Sequence, residues 1–178
     1  MIIAILAVAA VALMALVAFI ASRPAHFRVT RSATIPAPAS VLFAEVNDLH
    51  RWEAWSPWAR LDPASKNIYA GPESGIGSSM HWTGNKVGEG TMTITDSRPD
   101  RLVQLRLEFL KPFKATNTAV LSFEPKGEAT VVTWSMSGTN SFMGKAVGLF
   151  MNCDKMCGDM FEQGLANLSA VTEMVTSK

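Results

Sequence analysis

The chain has 178 residues, a net charge of +1 from 16 Lys and Arg against 15 Asp and Glu, and two cysteines. That balance lacks the basic stripe a nucleic-acid surface needs. Cys153 and Cys157, four apart, with His26, His50 and His81 scattered singly, do not make the paired spacing of a zinc site or a disulfide framework, and read as small buried or half-buried side chains.

In chain order, the first element is the run Ile2 to Ala21, built only from Ala, Val, Ile, Leu, Met and Phe. A helix rises ~1.5 Å per residue, so the run covers roughly the 30 Å hydrocarbon core of a bilayer, where a helix satisfies its own backbone. A cleaved signal peptide would want a basic start, a shorter apolar stretch and small residues before the cut. No Lys or Arg precedes the run, and Phe19, Ile20 or Arg23 spoils each cut between Ala21 and Ala25. The expectation is an uncleaved anchor over residues 1–22 and one domain over 26–178. Arg23, Arg28 and Arg31 follow the span, so the positive-inside rule predicts a single-pass protein with its domain in the cytoplasm.

The remaining ~155 residues suffice for one domain with a sizeable core. His26 to Ile35 alternates as a strand, with Phe27, Val29 and Arg31 on one parity, and Ile35-Pro36-Ala37-Pro38 stops it. Pro38 sits near a helix start, after which Val41, Leu42, Val46 and Leu49 recur at helical spacing. A short helical turn over Arg51 to Trp55 follows, ended by Ser56-Pro57. From Asn67 to Thr139 the pattern predicts five or six antiparallel strands separated by turns at Gly71-Pro72, Gly84-Asn85, Arg98-Pro99-Asp100, Lys111-Pro112 and Pro125-Lys126-Gly127-Glu128. Val103, Leu105, Leu107 and Phe109 share one strand face; Ala115, Asn117, Ala119, Leu121 and Phe123 share another; Val132, Trp134 and Met136 share a third. Such sheets cover one face and wet the other. Cys157, Phe161, Leu165, Leu168, Val171 and Val175 form the apolar stripe of a terminal helix. Gly158 and Gly164 interrupt it at ~1 kcal/mol each relative to Ala, through close approach or a bend. An α+β fold, with a curved antiparallel sheet wrapped around the C-terminal helix, buries both stripes.

Several motifs then coincide. Trp52-Glu53-Ala54-Trp55-Ser56-Pro57-Trp58, Asp62-Pro63, Tyr69-Ala70-Gly71-Pro72, Gly75-Ile76-Gly77, Trp82-Thr83-Gly84-Asn85, Val87-Gly88-Glu89-Gly90 and Gly164-Leu165-Ala166-Asn167-Leu168 resemble the SRPBCC superfamily, and within it the membrane-anchored group described as polyketide cyclase or dehydrase-like. The resemblance spans the whole domain and implies a START-like helix-grip fold enclosing an apolar cavity. Relatives of that group carry Lys just after the initiator Met, where this chain has Ile2, so topology does not carry across.

Given such a cavity, the candidate ligand contacts are Trp82, Met92, Leu105, Leu107, Phe109, Asn117, Ala119, Leu121, Trp134, Met136, Met151, Met160 and Phe161. Asn117 is the polar residue on an apolar-parity strip. It can orient a carbonyl but is neither acid nor base. Trp52, Trp55 and Trp58 read either as an aromatic rim or as packing of the short helices onto the sheet. The glycine clusters lie between strands, as hairpin turns do and phosphate cradles do not. Met143, Met151, Met156 and Met160 read as an adaptable pocket wall or as gap-filling core, and Gly144 with Gly148 as a flexible lip. No Ser/His/Asp, Cys/His or paired-carboxylate set is visible, and no metal or cofactor is implied. The expected function is membrane-tethered binding of a hydrophobic small molecule or lipid. The alternatives are a cyclase or dehydratase-like enzyme on an aromatic or polyketide substrate, which needs a polar pair in the cavity, and a protein-interaction module with no partner named.

Overall fold

A computed structural model describes residues 2–149 and 152–176. It comprises α1 (Ile2–Ser22), β1 (His26–Ile35), α2 (Ala39–Asn47), a 3-10 turn (Leu49–Arg51), α3 (Trp52–Trp55), α4 (Pro57–Leu61), β2 (Lys66–Ala70), β3 (Ser79–Gly84), β4 (Gly88–Arg98), β5 (Leu102–Lys111), β6 (Ala115–Lys126), β7 (Ala129–Thr139), α5 (Phe142–Val147) and α6 (Cys153–Thr176). The strands form one antiparallel sheet in the order β1-β7-β6-β5-β4-β3-β2. Register shifts at Glu89/Gly90 and Ile94/Asp96 add local twist to β4. The result is the expected α+β helix-grip: a curved sheet, a long C-terminal helix on its inner face and an apolar N-terminal helix.

The strand parities hold. Val103, Leu105, Leu121, Val132 and Trp134 are buried on the inner face, while Arg106 of β5 is exposed on the outer one. Arg31 departs from its apolar parity neighbours: it points inward and is tied to Glu162 (2.8 Å) and Asp154 (3.2 Å) of α6. Gly158 is the close approach this requires, because a Cβ there would strike the Arg31 guanidinium. Gly164 likewise leaves room for the Trp134 ring, 2.7 Å from where its Cβ would stand. Both glycines therefore serve close packing, not a bend.

Ser56-Pro57 ends the short turn α3 as expected, and a further short helix that the sequence pattern did not predict, α4, follows, with Pro57 in its first turn, where its missing N–H is no loss. These helices are fastened to α2 through its last turn, whose carbonyls lack partners within the helix. Trp52 Nε1 donates to the Val46 carbonyl (2.9 Å) and Trp55 Nε1 to that of Glu45 (3.4 Å). Asn167 of α6 donates to the Trp55 carbonyl (2.9 Å), so one asparagine joins the terminal helix to this layer.

The register places the two ends of the sheet unambiguously. At one end lie Ile35, the Arg98–Leu102 turn and the two-residue Gly127–Glu128 turn. Here the core is solid: Leu42, Phe123 and Val132 are buried, Phe43 meets Phe123 edge-on at 6.1 Å, and Thr130 Oγ1 donates to the Ala37 carbonyl. At the other end lie His26, the Gly84–Gly88 hairpin and the Lys111–Ala115 loop.

Candidate functional site: an apolar cavity between sheet and helix

Toward that second end the interior is not filled. A cavity of about 250 Å³ lies between the sheet, α3–α4 and the first half of α6. Its size falls just under the ~300–1,000 Å³ usual for small-molecule sites, which suits one ring system or a short chain.

Each wall follows from the local sequence. The alternation of β5, β6 and β7 brings Leu105, Leu107, Phe109, Ala119, Trp134 and Met136 to the inner face. Met80 and Trp82 come from β3, Met92 from β4 and Val87 from the hairpin between them. Gly90 makes this wall possible: a side chain there would collide with the Trp82 indole, which instead lies across β4, donates to the Val87 carbonyl (3.2 Å) and meets Phe109 edge-on. Phe161 and Cys157 come from α6, and Trp52, Ser56, Trp58 and Ala59 from the short helices.

Trp134 is the hub of the aromatic wall. Phe161 stacks on it (4.5 Å, 6°), and Trp52, Trp55 and Trp58 meet it edge-on at 5.6–5.8 Å. Its Nε1 is buried without a hydrogen-bond partner. Of the tryptophan block, Trp55 is pure packing, whereas Trp52 and Trp58 pack and also face the cavity.

Of the residues singled out from sequence, Trp82, Met92, Leu105, Leu107, Phe109, Ala119, Trp134, Met136 and Phe161 line this space. Leu121 does not. It lies two residues beyond Ala119 toward the solid end and is fully buried there. Met160 is half-buried on α6, one residue and so ~100° around the helix from the cavity-facing Phe161. Asn117 is buried outside the lining: its Nδ2 points at Met136 Sδ (3.9 Å), and its Oδ1, packed over Gly138, has no partner. Met151 lies outside the described residues, and Met156 is exposed. The methionines of the wall are thus Met80, Met92 and Met136 from the sheet.

Sequence reasoning missed Glu53, Ser56, Ala59, Ser65, Asn67, Met80, Val87 and Cys157 as lining residues, whereas Trp52 and Trp58 fit both the rim and the packing readings. Two carried a usable signal: Met80 shares the parity of Trp82, and Cys157 stands one turn before Phe161 on the α6 stripe.

Polar groups gather at the rim. Glu53 Oε1 accepts from Tyr69 OH (2.8 Å) and Asn67 Nδ2 (3.1 Å). Burial first, and then the Glu53 carboxylate, push the Tyr69 hydroxyl up to about 12, so it stays a neutral donor. Asp62 is buried below the rim and accepts from the Lys86 backbone N–H (2.8 Å), pinning the α4–β2 turn to the β3–β4 hairpin. That hydrogen bond, helped by those of Val87 and Ala64, holds its carboxyl below the usual range. Among the described residues no acid–base pair faces the cavity interior, and no group of three His, Cys, Asp or Glu could hold a metal.

Comparison with known proteins places this geometry. No curated protein matches the sequence. Solved structures share the fold at low identity: CV1439 from Chromobacterium violaceum (TM-score 0.60, 13% identity, covering 85% of this chain and 99% of that one), MLL2253 from Mesorhizobium loti (0.63, 12%, 83% and 98%) and SA2116, a protein of unknown function from Staphylococcus aureus (0.63, 10%, 86% and 97%). A family model described as polyketide cyclase / dehydrase and lipid transport matches residues 26–173, the whole of the sheet and nearly all of α6. The chain therefore belongs to the polyketide cyclase/dehydrase and lipid transport family, an SRPBCC-type family with the helix-grip fold.

Proposed function

We propose that this protein binds a hydrophobic small molecule or lipid in the cavity between sheet and α6 while α1 tethers it to a membrane. The observation that carries the reading is the wall itself: rich in indole, phenyl and thioether groups, with Glu53, Ser56, Ser65 and Asn67 as its few polar side chains. Burying an apolar guest there removes apolar surface from water at ~25 cal/mol per Å². Ligand contacts are assigned to Trp82, Met92, Leu105, Leu107, Phe109, Ala119, Trp134, Met136 and Phe161.

The tether is supported by α1, a helix long and apolar enough to cross a bilayer, although a signal sequence would have the same character. Arg23, Arg28 and Arg31 just after it favour a cytoplasmic domain. An apolar ligand partitions into the same bilayer, which gives tethering a purpose. Catalysis would need ionisable groups converging on the bound molecule, and the described wall offers Glu53, exposed and already accepting two hydrogen bonds, and the Cys157 thiol of α6. Binding is the simpler use of such a site.

Titration of the full chain in nanodiscs with the neutral fluorophore 1-aminoanthracene tests this. Saturable one-to-one enhancement above empty nanodiscs is expected, weakened at least tenfold, ~1.4 kcal/mol, by Ala119→Phe or Leu107→Trp, which fill the cavity. Equal signals from the parent chain and both filled variants would refute the reading.

A further inference from the structure

The cavity opens in a definite direction. Along β5, inner-face burial declines from Val103 and Leu105, fully buried, to Leu107 and Phe109, half-buried. Along β7 it declines the same way from Trp134 to Met136, and along β3 from Met80 to Trp82. All three gradients run toward the end that holds the Gly84–Gly88 hairpin and the Lys111–Ala115 loop.

The same end is where α1 joins the domain. Only Arg23, Pro24 and Ala25 separate α1 from β1, a neck spanning at most roughly 14 Å from Ser22 to His26. It is held close: the Ala25 carbonyl accepts from Asn140 N (2.7 Å), and Lys145 Nζ of α5 donates to the Ala21 carbonyl (3.0 Å). A bilayer containing α1 therefore lies against this end and not the other.

The surface there suits such a neighbour. Phe113 at the tip of the β5–β6 loop is 61% exposed and Phe142 at the start of α5 is 50% exposed. Lys111 and Lys114 flank Phe113, and Lys66 and Lys86 stand on the neighbouring strand and hairpin. The nearby carboxylates are already engaged: Glu89 by Lys111 (2.6 Å), Asp62 by backbone N–H groups, and Asp154 by Arg31. Lys66, Lys86 and Lys114 take part in no ion pair among the described residues, leaving their charge for anionic headgroups. Aromatic side chains between lysines are a pattern that sits at a lipid interface, ring in the acyl boundary and ammonium among the phosphates.

We propose that this end is a membrane-docking surface: Phe113 and Phe142 enter the bilayer that holds α1, Lys66, Lys86 and Lys114 bind its anionic headgroups, and the cavity mouth faces the lipid so that an apolar ligand passes between bilayer and protein without crossing water. The proposal rests on the tether reading and adds an orientation to it. Leu107, Phe109 and Trp82 at the mouth are then the first side chains an entering molecule meets.

The test uses the full chain reconstituted in vesicles of phosphatidylcholine, with or without phosphatidylserine, whose acyl chains carry bromine as a short-range fluorescence quencher. Phe113→Trp and, separately, Phe142→Trp report contact with those chains; both sites are exposed, so the fold tolerates the change. Each variant should be quenched more than the parent chain, and more with phosphatidylserine present. Reversing Lys66 and Lys114 to Glu should remove the phosphatidylserine effect, worth roughly fivefold per lysine. If the chain resists alkaline carbonate extraction, showing that α1 spans, yet neither variant gains quenching, docking is overturned and the tether stands. If carbonate releases the chain, the tether fails and docking with it.

Discussion

The two ends of one sheet do opposite things with the same alternation of residues. At the end holding the Arg98–Leu102 and Gly127–Glu128 turns, inner-face residues meet α2 and interdigitate: Val103, Leu121 and Val132 are fully buried, and Phe123 is almost so. Its charges are mixed in sign, with Arg98 paired to Asp96 (2.9 Å). At the end holding the Gly84–Gly88 hairpin, the inner faces of β3–β7, the short helices and α6 leave a space open between them, and exposed phenylalanines sit among lysines. Strand pattern alone builds a covered face; what covers it decides whether a core or a cavity results.

Substitutions separate the ends most sharply through stability. Leu121→Ala at the solid end removes fully buried atoms with no room to relax and should cost ~2–5 kcal/mol in urea unfolding. Met136→Ala, two strand positions beyond Trp134 and bordering open space, should cost clearly less and enlarge the site. Equal losses would mean that the two ends are packed alike.

Gly90→Val should come next. The new side chain would force the Trp82 indole off β4, an overpacking cost of ~1–3 kcal/mol, and drive the ring into the mouth, weakening probe binding. Retained affinity with an unshifted Trp82 would show that the mouth is not built on that glycine.

Arg31→Leu should have a smaller effect. The ion pairs to Asp154 and Glu162 reach into solvent and are screened by salt. A modest fall in Tm is expected, and its size should shrink as salt is added. A salt-independent fall would point to lost packing against Gly158 instead.

The smallest effect is a pH response confined to the open end. The Asp62 carboxyl is held below its ordinary value by the Lys86 N–H, and that of Glu89 chiefly by Lys111. A depressed folded pKa means that the stabilisation is complete above the unfolded value of ~3.9 to 4.3 and fades as pH falls through the folded one. Amide exchange of the 84–88 hairpin should therefore rise on acidification before that of the 98–102 turn. Asp62→Asn should raise it at neutral pH and flatten the response. Simultaneous loosening of both turns would contradict this.

Much of this architecture was legible in the residues because two-residue and three-to-four-residue periods are local properties. The faces of β5, β6 and β7 and the stripe of α6 needed nothing else. The cavity's far wall was not legible in that way. Ser56 and Ala59 reach it at the Ser56-Pro57 break between α3 and α4, and Val87 through a hairpin pinned by Asp62, a residue 25 positions earlier in the chain. Leu121 and Asn117 share the parity of Ala119 but not its position along the strand, and parity carries no information on where along a strand an interior is empty. Arg31 was legible as inward by period, while its carboxylate partners lie more than a hundred residues away.

The claim beneath all of this is that the open end holds a guest. Native mass spectrometry of the full chain, released from nanodiscs loaded with 1-aminoanthracene, measures it directly. The account predicts one bound molecule on the parent chain and none on Ala119→Phe; bare parent protein at saturating probe, or equal adducts on both, would contradict it.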